Sequence, residues 1–467
     1  MSAVPISLGV IASLVFYFSP YIVIILLSLL LLLLLISQKE DNFFLILFFI
    51  LIFFNQFRNV DTESTYLIYE YHFLGLNLIE GTIIMFLAIY LLKSALRGEI
   101  KISASRFFLN KPILCFGMAM VLASVVGLFF FGASLHRTLG QLRPLSYIII
   151  LYFLTIVFIK TKTQLNQILW AILIFTGLRA THGIFLYFFD PARQRMGGSF
   201  TFLSHEVTFF MLVLALGFIF ISNYPKEDRM IHTWIWIMMP TTFSFLFSFR
   251  RGAWLGLGLS FFITFLALPK PVKWKLVKVG VPLLALLLMI MVVVQGLSSL
   301  QRLEERLSSV TLTTKNISLA GYGITESNMY RLWETANGLI SLKSHPIFGI
   351  GLGTEWPVYI PFRGFSLSRF RFHNTWLALW VKIGFWGIFS FIWINWSFFK
   401  KGLKLGRIIT DRYYKSICLG LLVFVFAVDI ALVFGDWIYY FSPACLLGFV
   451  FGVMALLERF KERGEIV

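Results

Sequence analysis

The sequence predicts an all-α polytopic membrane protein, and three observations lead there. Of its 467 residues, 59% are hydrophobic and 13% charged, where a soluble domain carries about 25% charged residues. The chain holds 53 Phe, 17 Tyr and 13 Trp against 22 Asp and Glu, too little polar surface to cover its apolar segments in water. Runs such as 22–36 are continuously apolar. That is the pattern of a lipid-embedded helix, whereas barrel strands alternate. Soluble α/β folds and membrane barrels are excluded.

Residues 6–36 form one long helix or two short ones broken at Ser19-Pro20, since proline lacks the donor that would continue the first. Apolar runs of spanning length then place helices near 43–57, 73–92, 112–131, 145–159, 165–189, 200–221, 231–249, 252–268 and 276–297. A polar stretch, 298–372, interrupts them, and helices near 373–398, 414–434 and 436–457 follow. The expected organisation is an N-terminal bundle over 1–297, a long loop with short helices over 298–372, and C-terminal spans over 373–467, about 12–14 helices in all.

A net charge of +18 would suggest nucleic acid in a soluble chain, but here the distribution of charge matters more than its sum. Threading the loops alternately puts 23 of the 40 Lys and Arg on the side that carries the C-terminus. The positive-inside rule makes that side cytoplasmic and the 298–372 loop external. Of those 23 cations 16 are lysine, whereas 13 of the 15 on the opposite side are arginine. The planar guanidinium fork grips phosphate or carboxylate with two parallel bonds, so this bias points to oxyanion binding. Cys115, Cys418 and Cys445 lie in apolar segments without metal-ligand or redox spacing. The N-terminus lacks a basic region ahead of its apolar stretch, so no cleavable signal is expected.

The long loop holds most of the candidate chemistry. Its 298–310 part reads as a short charged helix, and Glu326–Leu342 as a second helix with Met329, Leu332, Trp333, Ala336 and Ile340 on one apolar stripe, expected to lie on the bundle or on the membrane surface. Arg331 and Glu334, three residues apart, form either a surface ion pair or part of an anion site. His345-Pro346-Ile347-Phe348-Gly349-Ile350-Gly351-Leu352-Gly353 stops that helix in a glycine-spaced turn. It has no βαβ context for a dinucleotide, so its backbone is expected to approach a ligand or a neighbouring helix. Arg363, Arg369, Arg371, His373 and Asn374 crowd the mouth of the next helix. There His373 either takes a proton from a hydroxyl or simply caps the helix. Arg193 with Arg195 and Arg250 with Arg251 are further external pairs, costly unless they line a wet cavity. No P-loop, HExxH or GxSxG motif is present, and the Asp61-Thr62-Glu63 pair reads as solvated, so neither metal nor cofactor is assigned.

Phe249-Arg250-Arg251-Gly252-Ala253-Trp254 resembles the Ser-Arg-Gly segment of the bacterial O-antigen ligase and O-antigen polymerase superfamily, with Arg250 in place of the serine. Arg331 with Trp333, and then His345 to Gly351, is similar to its Arg-x-x-x-Trp-like helix and its His-Pro-[Ile/Leu]-Phe-Gly-x-Gly turn. His373-Asn374-Thr375-Trp376-Leu377, continuing to Gly384-Phe385-Trp386-Gly387, is similar to its His-Asn-x-x-Leu and Gly-x-x-Gly helix. Arg195-Met196-Gly197-Gly198-Ser199-Phe200 is similar to its Arg-x-x-Gly-x-Phe motif, although Ser204-His205-Glu206 stands where asparagine is common.

The resemblance implies a metal-independent, inverting glycosyltransferase of the bacterial inner membrane with its active site on the periplasmic face. The implied donor is a glycan on undecaprenyl diphosphate. The acceptor would be lipid A core oligosaccharide in a ligase, or a second lipid-linked repeat in an O-antigen or exopolysaccharide polymerase. By the same resemblance His373 is the catalytic base, Arg195, Arg251 and Arg331 bind the diphosphate, and Arg250, Arg371 and Asn374 support them. The expected partners are donor, acceptor and membrane lipids, and no nucleic acid. A flippase or transporter is the rival class, because Glu80, Arg179, Lys382 and Asp429 lie inside predicted helices.

Overall fold

The computed structural model describes residues 42–53, 107–189, 206–224, 229–248, 250–267, 324–360, 365–369 and 372–466, together with 80, 81, 83, 84, 270–274 and 276–278. Its helices are α1 (Asn42–Phe53), α2 (Asn110–Phe130), α3 (Leu135–Phe158), α4 (Lys162–Phe189), α5 (Val207–Asn223) and α6 (Arg229–Leu246). They continue with α7 (Arg251–Ala267), α8 (Ile324–Ser344), α9 (Thr375–Ile408), α10 (Arg412–Ala431) and α11 (Phe441–Glu462). Among the described residues α2, α3, α9, α10 and α11 are long and apolar enough to cross a membrane, and α5 and α7 are shorter apolar helices. The protein is a multi-pass helical membrane protein, as its composition requires. The expected helices at 6–36, 73–92, 276–297 and 298–310 lie wholly or almost wholly outside the described residues.

Two elements run past their apolar segments. Helix α3 starts ten residues before the expected 145 and passes through Pro144, and α9 continues ten residues beyond 398. Hydropathy detects the part that faces lipid, whereas a helix persists wherever its polar turns find partners. Lys401 on the extension of α9 pairs with Glu458 of α11. The loop also contains a hairpin that the sequence did not announce. Strand β1 (Trp356–Ile360) pairs antiparallel with β2 (Phe365–Arg369), Trp356 opposite Arg369 and Ile360 opposite Phe365.

Contacts divide the chain into two compact units. The first comprises Met1–Ala104, Leu154–Leu214 and His232–Ser248. Here α1 packs on α4, burying Phe43, Phe44 and Phe48, and Phe48 meets Phe209 edge-on at 6.4 Å. Arg179, 3% exposed, is neutralised within this unit. Its Nε and Nη2 donate to Glu206 Oε1 at 3.2 and 2.7 Å, and Nη1 meets His182 Nδ1 at 2.8 Å.

The second unit comprises Ser105–Phe153, Ala215–Ile231 and Phe249–Val467. Helix α7 lies against α10 because Gly252 and Gly256, one turn apart, bare its backbone. A Cβ on Gly256 would run into the Ala427 carbonyl oxygen, and one on Gly252 would come within 2.9 Å of Phe434 Cβ. This is the close helix approach that small residues four apart permit in a bilayer. Helix α9 is broken at Gly384, whose φ of 76° belongs to glycine. Such a break exposes backbone groups that lipid cannot satisfy. The glycine-spaced turn supplies the partners: Ile350 and Gly351 donate to the carbonyls of Val381 and Lys382 at 2.8 and 3.0 Å, and Phe385 N–H donates to Ile347 O at 2.9 Å. The same turn reaches α2 through Leu352 N to Ala123 O at 3.0 Å, and α3 through Gly353 N to Gln141 Oε1 at 2.8 Å. Of the two expected uses of that flexible backbone, approach to neighbouring helices is the one observed. Lys382, 1% exposed on α9, closes the clamp by donating to the carbonyl oxygen of Thr354 and, at 3.1 Å, to its hydroxyl.

Candidate functional site

The site is built where the N-terminus of α9 meets the end of α10. Asn374 caps α9, its Oδ1 accepting from Leu377 N at 3.1 Å. Thr375 donates from N to Leu432 O at 2.8 Å and from Oγ1 to Gly435 O at 2.5 Å, and Trp376 Nε1 donates to Asp429 O at 2.9 Å. On the other side Phe372 stacks on the buried Trp356 of β1 at 3.8 Å between ring centroids. Gly338 of α8 leaves the space into which Phe372 and Leu377 pack. The backbone at 372–376 is therefore held from α8, from the hairpin and from the 432–436 turn.

His373 projects from this fixed point, its side chain 46% exposed. Its Nδ1 lies 2.9 Å from Glu334 Oε2, and its backbone N–H donates to the same oxygen at 2.9 Å. Glu334 is 2% exposed and shares the inward face of α8 with Gly338 and Leu342, while Ile340, of the apolar stripe, is 63% exposed. Helical spacing found the helix. It did not find the inward face, because it counts hydrophobic residues, and here a carboxylate and a glycine are inside.

Arg331 sits three residues before Glu334 and is half-buried. Burial draws its pKa below the usual guanidinium value, and the carboxylates of Glu334 and Asp436 push it back up. Neither carboxylate is within ion-pair distance, and among the described residues no oxygen accepts a hydrogen bond from Arg331. The surface ion pair between Arg331 and Glu334 is thus absent, because Glu334 has turned inward to His373. Arginine stays charged at any physiological pH, so this partly desolvated cation lacks a bonded counter-ion among the described residues.

Arg251 is the first residue of α7, half-buried, and Arg250 precedes it, exposed. The adjacent Gly252 faces Phe434 and Ala431. The turn that bolts down Thr375 and carries Asp436 therefore also abuts the start of α7. Cations at a helix N-terminus oppose the helix dipole, so helix stability does not explain Arg250 and Arg251. Arg195 and Arg371 lie outside the described residues. The structure brings Arg251, Arg331, His373 and Asn374 to one end of the second unit and adds Glu334 and Asp436, which sequence reasoning had not placed there. Glu334 was visible only as a neighbour of Arg331 in the helix. Asp436 sits in a turn between two spans, with no motif to mark it; its Oδ2 accepts from Tyr440 OH at 3.2 Å. Among the described residues no three His, Cys, Asp or Glu side chains converge as a metal site would need.

Residues 234–392 match a family model described as O-antigen ligase. Over that stretch, about a third of the chain, the protein is similar to O-antigen ligases. Among curated proteins nothing matches. The O-antigen ligase stretch takes in Arg250, Arg251, Arg331, Glu334, His373 and the glycine-spaced turn. Asp436 lies beyond its end and Arg195 before its start.

Proposed function

We propose that the protein is an O-antigen-ligase-like, inverting and metal-independent glycosyltransferase that moves a glycan from undecaprenyl diphosphate to a hydroxyl of lipid A core oligosaccharide. It works on the periplasmic face of a bacterial inner membrane, with the C-terminus cytoplasmic, as the charge split between its loops supports. The observation that carries the reading is Arg331, a half-buried guanidinium with no protein acceptor among the described residues, on the same helix as the carboxylate that holds His373.

The acceptor oxygen attacks C1 of the donor sugar from the face opposite the diphosphate and inverts it, and its proton passes to His373 Nε2. The bond from C1 to the phosphate oxygen breaks with its electron pair on the lipid diphosphate. Charge developing there needs fixed positive groups rather than a protonating acid. Arg331 and Arg251 supply them, Arg250, Arg371 and Asn374 support, and Arg195 is a further donor-binding arginine by the resemblance of its own motif. The bond energy arrives with the donor, so no nucleotide or other cofactor is required. The positive ends of α7 and α9 add to the anion site.

Purified protein in lipid nanodiscs, given undecaprenyl-diphosphate glycan with either lipid A core or a second lipid-linked repeat, tests this directly. The core oligosaccharide should gain the mass of the glycan, and His373→Ala should abolish the gain while still binding donor. Mass gained by the second repeat would make the protein a polymerase. No transfer to either, with the donor moved intact across a bilayer, would overturn the reading in favour of a flippase.

A further inference from the structure

We propose that Glu334 is the positioning residue of the transfer reaction: it fixes the tautomer of His373 and stabilises the imidazolium that forms during transfer. The proposal rests on the reading of His373 as the base.

A buried carboxylate is costly unless its bonds are good, so a 2% exposed Glu334 calls for a reason. Holding the backbone is an inadequate one. His373 is already fixed by the Asn374 cap, by both bonds of Thr375 to the 432–436 turn, and by the stacking of Phe372 on Trp356. A neutral glutamine could accept from the His373 N–H equally well. What a carboxylate adds lies at the ring. An ionised carboxylate only accepts, so the proton between Nδ1 and Oε2 resides on Nδ1. In the neutral imidazole that puts the lone pair on Nε2, on a side chain that is 46% exposed. When the acceptor hydroxyl gives its proton to Nε2 the ring becomes a cation, and the negative charge 2.9 Å from Nδ1 stabilises it. Glu334 takes no proton at any stage.

The surroundings keep this charge for the ring. Glu334 Oε2 receives both bonds from His373, whereas Oε1 is buried with no hydrogen-bond partner among the described residues. Arg331, the nearest cation along α8, is not within ion-pair distance and so does not divert the carboxylate. An acid that existed to neutralise Arg331 would have paired with it across one helical turn.

Two measurements test the assignment. Magic-angle-spinning NMR of wild-type protein labelled with 15N-histidine, in bilayers, should show His373 with Nδ1 protonated and Nε2 bare, its signals identified by their loss in His373→Gln. Glu334→Gln should lower kcat about 10²- to 10⁴-fold, the range for an impaired general base, with donor KM within about twofold, and should shift the histidine signals toward the other tautomer. A wild-type spectrum with Nδ1 bare would overturn the proposal whether or not the variant folds. So would a Glu334→Gln enzyme with normal kcat while His373→Ala is inactive. If His373→Ala also transfers normally, the base reading itself fails, a separate outcome.

Discussion

Replacing Arg331 by lysine keeps the charge and removes the fork. In the native site a planar set of five donors stands on a half-buried side chain, and among the described residues no protein oxygen occupies any of them. Two adjacent phosphate oxygens can therefore meet two parallel N–H groups, where an ammonium on a flexible stem meets one. A hydrogen bond to a charged group is worth about 1.5–3 kcal/mol, and 1.4 kcal/mol is a factor of ten. Arg331→Lys should thus lower kcat/KM for the lipid diphosphate donor about 10- to 100-fold. Stability should scarcely change, by about 0.5 kcal/mol or less, because no bond to a described residue is lost. Initial transfer rates against donor concentration, read beside a thermal melt of the same sample, separate the two effects. A lysine variant with unchanged kcat/KM would refute the bidentate grip. A large drop in melting temperature with per-molecule activity intact would make Arg331 a structural residue.

Sidedness is checked by cysteine labelling: Ser318→Cys should react with a membrane-impermeant thiol reagent in cells with a permeable outer envelope, and Thr410→Cys should not. Equal labelling at both would overturn the orientation. Lys382→Met strips Thr354 of its ammonium donor and should cost about 1–3 kcal/mol of stability, the penalty of an orphaned buried acceptor. Transfer per folded molecule should persist; activity lost at full stability would instead mark Lys382 as a functional charge.

The membrane class and most span positions were legible because lipid imposes a one-dimensional rule on sequence, a sufficient apolar length. The helix at Glu326–Leu342 was legible within two residues at each end, since α8 covers Ile324–Ser344. Its inward face was not, because Glu334 is buried by a partner 39 residues away and no periodicity encodes that. The β1–β2 hairpin escaped for a related reason. Five-residue strands separated by four residues carry too little pattern to stand out in an arginine-rich loop. His373, Arg331 and Arg251 could be singled out by residue type and resemblance, but their common neighbour, the 432–436 turn, appears only once α10 packs against α7 and α9.

Three buried or half-buried cations separate the two function classes. A transporter needs charges within its helices whose partners can change as the substrate passes. Arg179 is committed to Glu206 through two nitrogens and to His182 through a third. Lys382 is committed to Thr354, where it locks the glycine-spaced turn that heals the break in α9. Exchanging either partner would release structure that the helix pairs depend on. Arg331 differs in kind: it lies outside the spans, beside a histidine whose Nδ1 is held, and it lacks a bonded acceptor among the described residues. A cation already neutralised by the protein has little affinity left for a substrate anion, so of these three Arg331 is the one suited to hold such an anion. Its place outside the candidate spans suits anion binding on α8 better than passage of a charge through a span.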